Sequence, residues 1–303
     1  MTRTENPTPA PNSTPASTPA STPASTPAPT SASTPAPTSA PTTEADPQVL
    51  RAADARGVVT LTLNRPLAFN ALSEAMLDAL QAQLQAVAAD PAARVVVLAA
   101  AGKAFCAGHD LKQMRAQPSL AYYERLFAQC SAVMLAIQQL PVPVIARVQG
   151  IATAAGCQLV ATCDLAVAAS TARFAVSGVN LGLFCSTPGV ALARNLSRKA
   201  AFEMLVTGEF IDAARALEQG LVNRVAAPEA LDAEVERLVA SIVAKPRAAV
   251  ALGKQLFYRQ LEKGTAAAYE DASHTMACNM MDDAALEGVQ AFIDKRPPSW
   301  SAH

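Results

Sequence analysis

The stretch VPVIARVQGIATAAGCQLVATCDLAVA, Val142–Ala168, decides the fold. It opens on Val142–Val148, an almost unbroken apolar run of strand length, the pattern of a strand covered on both faces. Gln149-Gly150 breaks the run, and Thr153–Thr162 has the small apolar residues of a short helix. Asp164–Ala169 then starts a further strand. Strands that alternate with helices in this way build an α/β layer.

The same grammar extends outward. Upstream, Arg94–Ala100 is a second continuous apolar strand, and Val58–Asn64 alternates apolar and polar side chains. Ser73 is placed to cap a helix over Glu74–Ala89, with Met76, Leu77, Leu80 and Leu84 on one face. A glycine-containing loop is expected over Ala101–Asp110 and a helix over Tyr122–Leu140. Downstream the pattern turns helical: Val190–Asn195, Arg198–Thr207, Ala213–Gln219, Leu231–Ala244, Arg247–Leu261, Thr265–Met281 and Ala284–Lys295. The expected class is α/β, with a core over residues 47–245 and a helical C-terminal region over 246–303.

Residues 1–46 stand apart. They are almost wholly Ser, Thr, Pro and Ala, with an STPA repeat from Ser13 to Ala28. Without large apolar side chains nothing offsets the entropy of ordering, so a disordered tail is expected. It has no apolar segment of a secretory signal, and Arg3 is its only arginine before Arg51, which argues against a mitochondrial presequence. The expected location is therefore cytoplasmic, with no membrane span. A net charge of −1 gives no electrostatic case for nucleic acid. Six cysteines without a CxxC pair and three scattered histidines read as mostly buried thiols, with no metal site.

Four segments in order, LNRPLAFNALS (Leu63–Ser73), GKAFCAGHDLKQM (Gly102–Met114), Val142–Ala168 and TGEFIDAARALEQGLVNRV (Thr207–Val225), resemble the crotonase (enoyl-CoA hydratase/isomerase) superfamily over roughly residues 50–300. The resemblance implies a spiral of ββα turns with a helical C-terminal trimerisation region, assembled as a homotrimer or hexamer. It implies an acyl-CoA thioester as ligand, with coenzyme A as part of the substrate and no separate cofactor. It also implies an oxyanion hole for the thioester carbonyl, built from the backbone N–H groups of His109 and Ala155. Such preorganised donors stabilise developing enolate charge by up to a few kcal/mol each. Ala155 stands where the family usually has glycine, which is tolerable if its φ stays negative.

The CoA contacts carried over are Leu67, Ala68 and Phe69 in one loop, Ala107, Asp110 and Leu111 in another, and Phe292 and Lys295 near the C-terminus. The last two often act from a neighbouring subunit. Leu67 departs from the lysine common in hydratases. A larger departure concerns the two glutamates that hold and deprotonate water: Gln158 and Gly178 occupy their positions. Glutamine hydrogen-bonds but takes no proton at neutral pH, and glycine offers no side chain. The resemblance thus implies thioester binding, with lyase or isomerase chemistry as one reading and a non-catalytic binder, assembly subunit or divergent thioesterase as the others. If only the acids are missing, Gln158→Glu with Gly178→Glu should restore hydration.

Overall fold

The computed structural model describes residues 47–301, and the Ser/Thr/Pro/Ala-rich stretch 1–46 lies outside them. Two sheets run through it. The larger has the order β1 (Val49–Ala53), β2 (Val58–Leu63), β3 (Val95–Ala100), β5 (Val144–Val148), β7 (Leu165–Ala169) and β10 (Arg224–Ala226), parallel except for the β1–β2 hairpin. The smaller is β4 (Ala104–Cys106), β6 (Ile151–Thr153), β8 (Arg173–Ala175) and β9 (Ile211–Asp212).

The two sheets are built together by a repeating ββα turn. β3 joins the large sheet, β4 the small one, and α3 (Leu120–Gln139) follows after the short α2 (Leu111–Ala116). β5, β6 and α4 (Ala155–Thr162) repeat the turn, and β7, β8 and α5 (Ser186–Asn195) repeat it again. This is the crotonase-type spiral that the sequence led us to expect. Several boundaries differ, three of them near the site. The expected loop Ala101–Asp110 contains β4, Thr153 ends β6 rather than starting α4, and α5 begins at Ser186 rather than Val190.

Why β3 is apolar throughout is visible in its two faces. Val96 and Leu98 join the core with Leu61, Leu63 and the buried side of α1 (Glu74–Ala88). Val95 and Val97 face the other way, with Ile145 and Val167, against Leu231, Val235 and Val239 of α8 (Leu231–Val243). A strand covered on both faces has no position for a polar side chain.

The C-terminal helices α9 (Arg247–Leu261), α10 (Thr265–Met280) and α11 (Asp283–Ile293) follow α6 (Arg198–Thr207), α7 (Ala213–Gln219) and α8. α9 is fastened by a buried polar knot. The Lys254 ammonium donates to the carbonyls of Ile137 and Val142, each at 2.9 Å, and to Asp164 Oδ2 at 2.6 Å. Asp164 also accepts the Tyr258 hydroxyl at 2.8 Å and the Val144 N–H at 2.6 Å. No described helix is long and apolar enough to cross a membrane. Five of the six cysteines are buried, and Cys278 on α10 is exposed.

Candidate active site

Two chain crossings meet around one cavity. The first is the segment after β4. The Leu72 N–H donates to the Gly108 carbonyl at 2.8 Å, and the Asp110 N–H donates to the Leu72 carbonyl at 3.3 Å, so His109 is bridged to Leu72 through its neighbours. In such a parallel bridge the N–H of the bridged residue points to the opposite side. Ala154 and Ala155 pack closely on Gly108: a Cβ there would lie 2.9 Å from Ala154 Cβ and 3.3 Å from the Ala155 nitrogen. Gly108, at φ +90°, is what lets the two segments touch.

The second crossing is the entry to α4. Ala155 is the first helical residue, so its N–H has no partner within the helix and stands at the positive end of the helix dipole. Ala155 keeps a negative φ, as it must, but the turn is made one residue earlier: Ala154 sits at φ 50°, ψ −121°. A non-glycine residue in that region stores about 1–3 kcal/mol of strain. Neighbouring contacts hold it there, including the Ala154 N–H bond to the Ala175 carbonyl at 2.9 Å. Gly156 lets α4 lie on β4, since a Cβ there would come within 2.1 Å of the Cys106 carbonyl oxygen.

Ala107, His109, Leu111, Ala155 and Gly178 all line the resulting cavity of about 280 Å³. The expected CoA loops adjoin it. Leu67 is 99 % exposed and Phe69 is 46 % exposed, in a turn closed by Asn70. Buried Asn70, which sequence reasoning missed, donates to the carbonyls of Ala101 and Ala104 and accepts the Arg65 N–H. The Ala107 N–H donates to the Phe69 carbonyl at 3.0 Å, joining that turn, which includes Ala68, to the cavity wall. The Asp110 carboxylate is occupied otherwise: it caps α2 through the N–H groups of Lys112 and Gln113 and pairs with Arg65 at 3.2 Å. Burial would raise its pKa, but these bonds prevail and hold it below the usual carboxylate range. Phe292 on α11 and Lys295 just beyond it do not line this cavity; Phe292, 86 % exposed, borders a separate depression among the C-terminal helices.

The two positions that the resemblance assigns to the acids differ in kind. Gln158 lies one turn along α4 from Ala154 and Ala155, 4 % exposed, and its amide oxygen has no hydrogen-bond partner. Gly178 lines the cavity, but its place is taken. A Cβ there would meet the Leu183 carbonyl oxygen at 2.5 Å and Cys185 Sγ at 2.7 Å. The Gly178 N–H already donates to Cys185 Sγ at 3.3 Å. A glutamate at 178 therefore has no ready room, because the segment Leu183–Cys185 has closed over the glycine.

His109 contributes more wall than chemistry. Its two ring nitrogens are buried without hydrogen-bond partners, and its ring meets Phe127 edge-on at 5.4 Å between centroids. Burial holds the imidazole below its ordinary pKa, weakly opposed by the nearby Leu72 carbonyl. Met114, Phe127, Leu181, Leu183 and Phe184 complete most of the apolar lining. Met114 closes the Gly102–Met114 segment, whereas Phe127, Leu181, Leu183 and Phe184 lie outside the four segments. No aspartate or glutamate belongs to the lining.

The comparisons agree with this architecture. Residues 53–303 match the family model for enoyl-CoA hydratase/isomerase, and the chain belongs to that family. Within it the chain resembles enoyl-CoA hydratase domain-containing protein 3. The rat protein of that name is 44 % identical over 258 residues, covering 85 % of this chain and 86 % of the relative. The human one is 45 % identical, covering 85 % of each. The crystal structure of the human protein superposes with a TM-score of 0.81 at 44 % identity, over 84 % of this chain and 100 % of the other. The crystal structure of an enoyl-CoA hydratase from Mycobacterium smegmatis is 70 % identical, with a TM-score of 0.84, over 84 % of this chain and 99 % of that one.

These relatives also correct the expected cytoplasmic location. The rat, mouse, frog, human and zebrafish proteins are all named mitochondrial. The expectation rested on the scarcity of arginine before Arg51, and a missing signature identifies no compartment.

Proposed function

We propose that this chain binds an acyl-CoA thioester, with the thioester carbonyl held by the backbone N–H groups of His109 and Ala155. The single observation that supports this reading is the close approach of Gly108 to Ala154 and Ala155 beside an apolar cavity lined by His109 and Ala155. Donors of this kind act on the oxyanion of a thioester enolate whatever their side chains. Leu67–Phe69, Ala107 and Leu111 would receive the CoA moiety, and Phe292 and Lys295 would reach the ligand of a neighbouring subunit in a homotrimer or hexamer.

With Gln158 and Gly178 in place of the acids, turnover would run through the enolate as a lyase or isomerase reaction, without efficient hydration. A second reading, a non-catalytic acyl-CoA-binding protein, is favoured by the absence of carboxylates from the cavity lining. Calorimetric titration with butyryl-CoA tests the shared claim. Saturable binding is expected, weakened about tenfold or more by Gly108→Ala, which drives a methyl group between the donor segments. No binding by a folded protein would refute it. A mass-spectrometric survey of enoyl-, β-ketoacyl- and acyl-CoA turnover then separates enzyme from binder.

A further inference from the structure

The cavity wall beside Ala154 and Ala155 is not wholly apolar. Half-buried Ser177 lines it, and its hydroxyl is bonded at 3.0 Å to that of Thr153, which is half-buried and outside the lining. The fold brings the two together across 24 positions of sequence. Thr153 ends β6 opposite Ala175 of β8, and Ser177 stands two residues beyond. A bond between two hydroxyls uses one hydrogen, whereas each hydroxyl carries one hydrogen and two acceptor sites. Among the described residues neither hydroxyl has a further partner, so Ser177 keeps capacity towards the cavity. When Thr153 donates, the Ser177 hydrogen is free for a ligand oxygen. When Ser177 donates, its oxygen still accepts from a ligand hydroxyl.

We propose that Ser177, held by Thr153, is a specificity-determining residue that takes a hydroxyl carried on the acyl chain close to the thioester. This rests on the acyl-CoA reading above and narrows it to a substrate class. A ligand hydroxyl is served by either direction of the Thr153–Ser177 bond, whereas a ligand carbonyl is served by only one. Thr153 and Ala155 are two residues apart, hence within about 7 Å of each other along the chain. With the thioester carbonyl at the Ala155 N–H, the first carbons of the acyl chain are therefore the ones Ser177 reaches. A serine hydroxyl is uncharged at neutral pH, so it positions the acyl oxygen and moves no proton. The other hydroxyls of the lining are less suited. Ser186 is exposed to water and donates to the Phe184 carbonyl at 3.4 Å, and half-buried Thr187 has no bonded neighbour among the described residues to fix its direction.

The test is a set of calorimetric titrations of the full chain with butyryl-CoA and with each enantiomer of 3-hydroxybutyryl-CoA, repeated on Ser177→Ala and Thr153→Val. The quantity read is the ratio of affinities for the hydroxylated and the plain ester. In the unaltered protein the two enantiomers should differ, because a hydroxyl fixed to one wall reaches only one of them. Ser177→Ala should lower the ratio for the favoured enantiomer about two- to tenfold, the worth of one net hydrogen bond. Thr153→Val, which spares Ser177 but removes the partner that fixes its direction, should lower it by a smaller factor. A purely structural role would weaken both esters alike and leave the ratio unmoved. An unmoved ratio in folded Ser177→Ala protein, or equal binding of the enantiomers, overturns this inference and leaves acyl-CoA binding intact. Binding of no CoA ester by the unaltered protein overturns both.

Discussion

Ala154 and Gly178 show how much a single position can hide. Ala154 is the cheaper to test. Its φ of 50° is one that glycine adopts freely, so Ala154→Gly should relieve strain and stabilise the fold by about 1 kcal/mol after glycine's own entropy cost. In a domain of this size that is roughly 2–4 °C in melting temperature, measurable by calorimetry. Gly178→Glu should do the reverse, costing about 1–3 kcal/mol by overpacking Leu183 and Cys185, and it should bring no hydration with or without Gln158→Glu. Urea melts and a crotonyl-CoA hydration assay check both halves. His109 gives a pH signature. Its folded pKa is depressed by burial, so its contribution to stability is complete above the ordinary imidazole value of about 6.5 and is lost as pH falls towards the lower folded value. His109→Phe should flatten that acid-side slope in urea midpoints taken between pH 7 and pH 5. From sequence alone Gln158 and Gly178 could be singled out, because the flanking motif fixes the register, and the structure puts Gly178 on the cavity wall. That Gly178 is sealed was not legible, since the atoms sealing it belong to residues five and seven positions later whose backbone path no pattern announces.

At the scale of elements, long and periodic segments were readable and short ones were not. β3 declares itself by a run of apolar residues, and α1 by one apolar face and its Ser73 cap, whose hydroxyl accepts the Met76 N–H at 3.2 Å. The smaller sheet went unread because β4, β6 and β8 are three residues each, too short for any alternation to register. The fastening of α9 was equally hidden. Lys254 looks like any lysine on an amphipathic helix, and only the fold brings it to Asp164, 90 residues away in sequence. The Lys254 and Asp164 side chains are 5 % and 14 % exposed, so removing one partner strands the other in a nearly dry site. Lys254→Met should destabilise the protein by about 3–5 kcal/mol in denaturant melts, whereas replacing both partners by apolar residues should cost much less.

The whole molecule carries an apolar surface that a lone chain has no use for. Tyr269, Met276, Met281, Phe292 and Ile293 on or beside α10 and α11 are each more than 60 % exposed. Large exposed apolar patches mark association surfaces. Light scattering should give three or six times the chain mass, and paired Phe292→Asp and Ile293→Asp substitutions should shift it towards one. The knot at Asp164 bears on the proposed association as well. Asp164 lies two residues beyond the end of α4, the helix whose first N–H we propose to meet the thioester, and it is bonded by Lys254 and Tyr258 of α9. On the proposed reading, one buried carboxylate joins the helix at the ligand to the first of the C-terminal helices. That reading predicts linkage between affinity and subunit exchange: saturating ligand should slow the exchange of subunits, and dilution should loosen the grip on ligand.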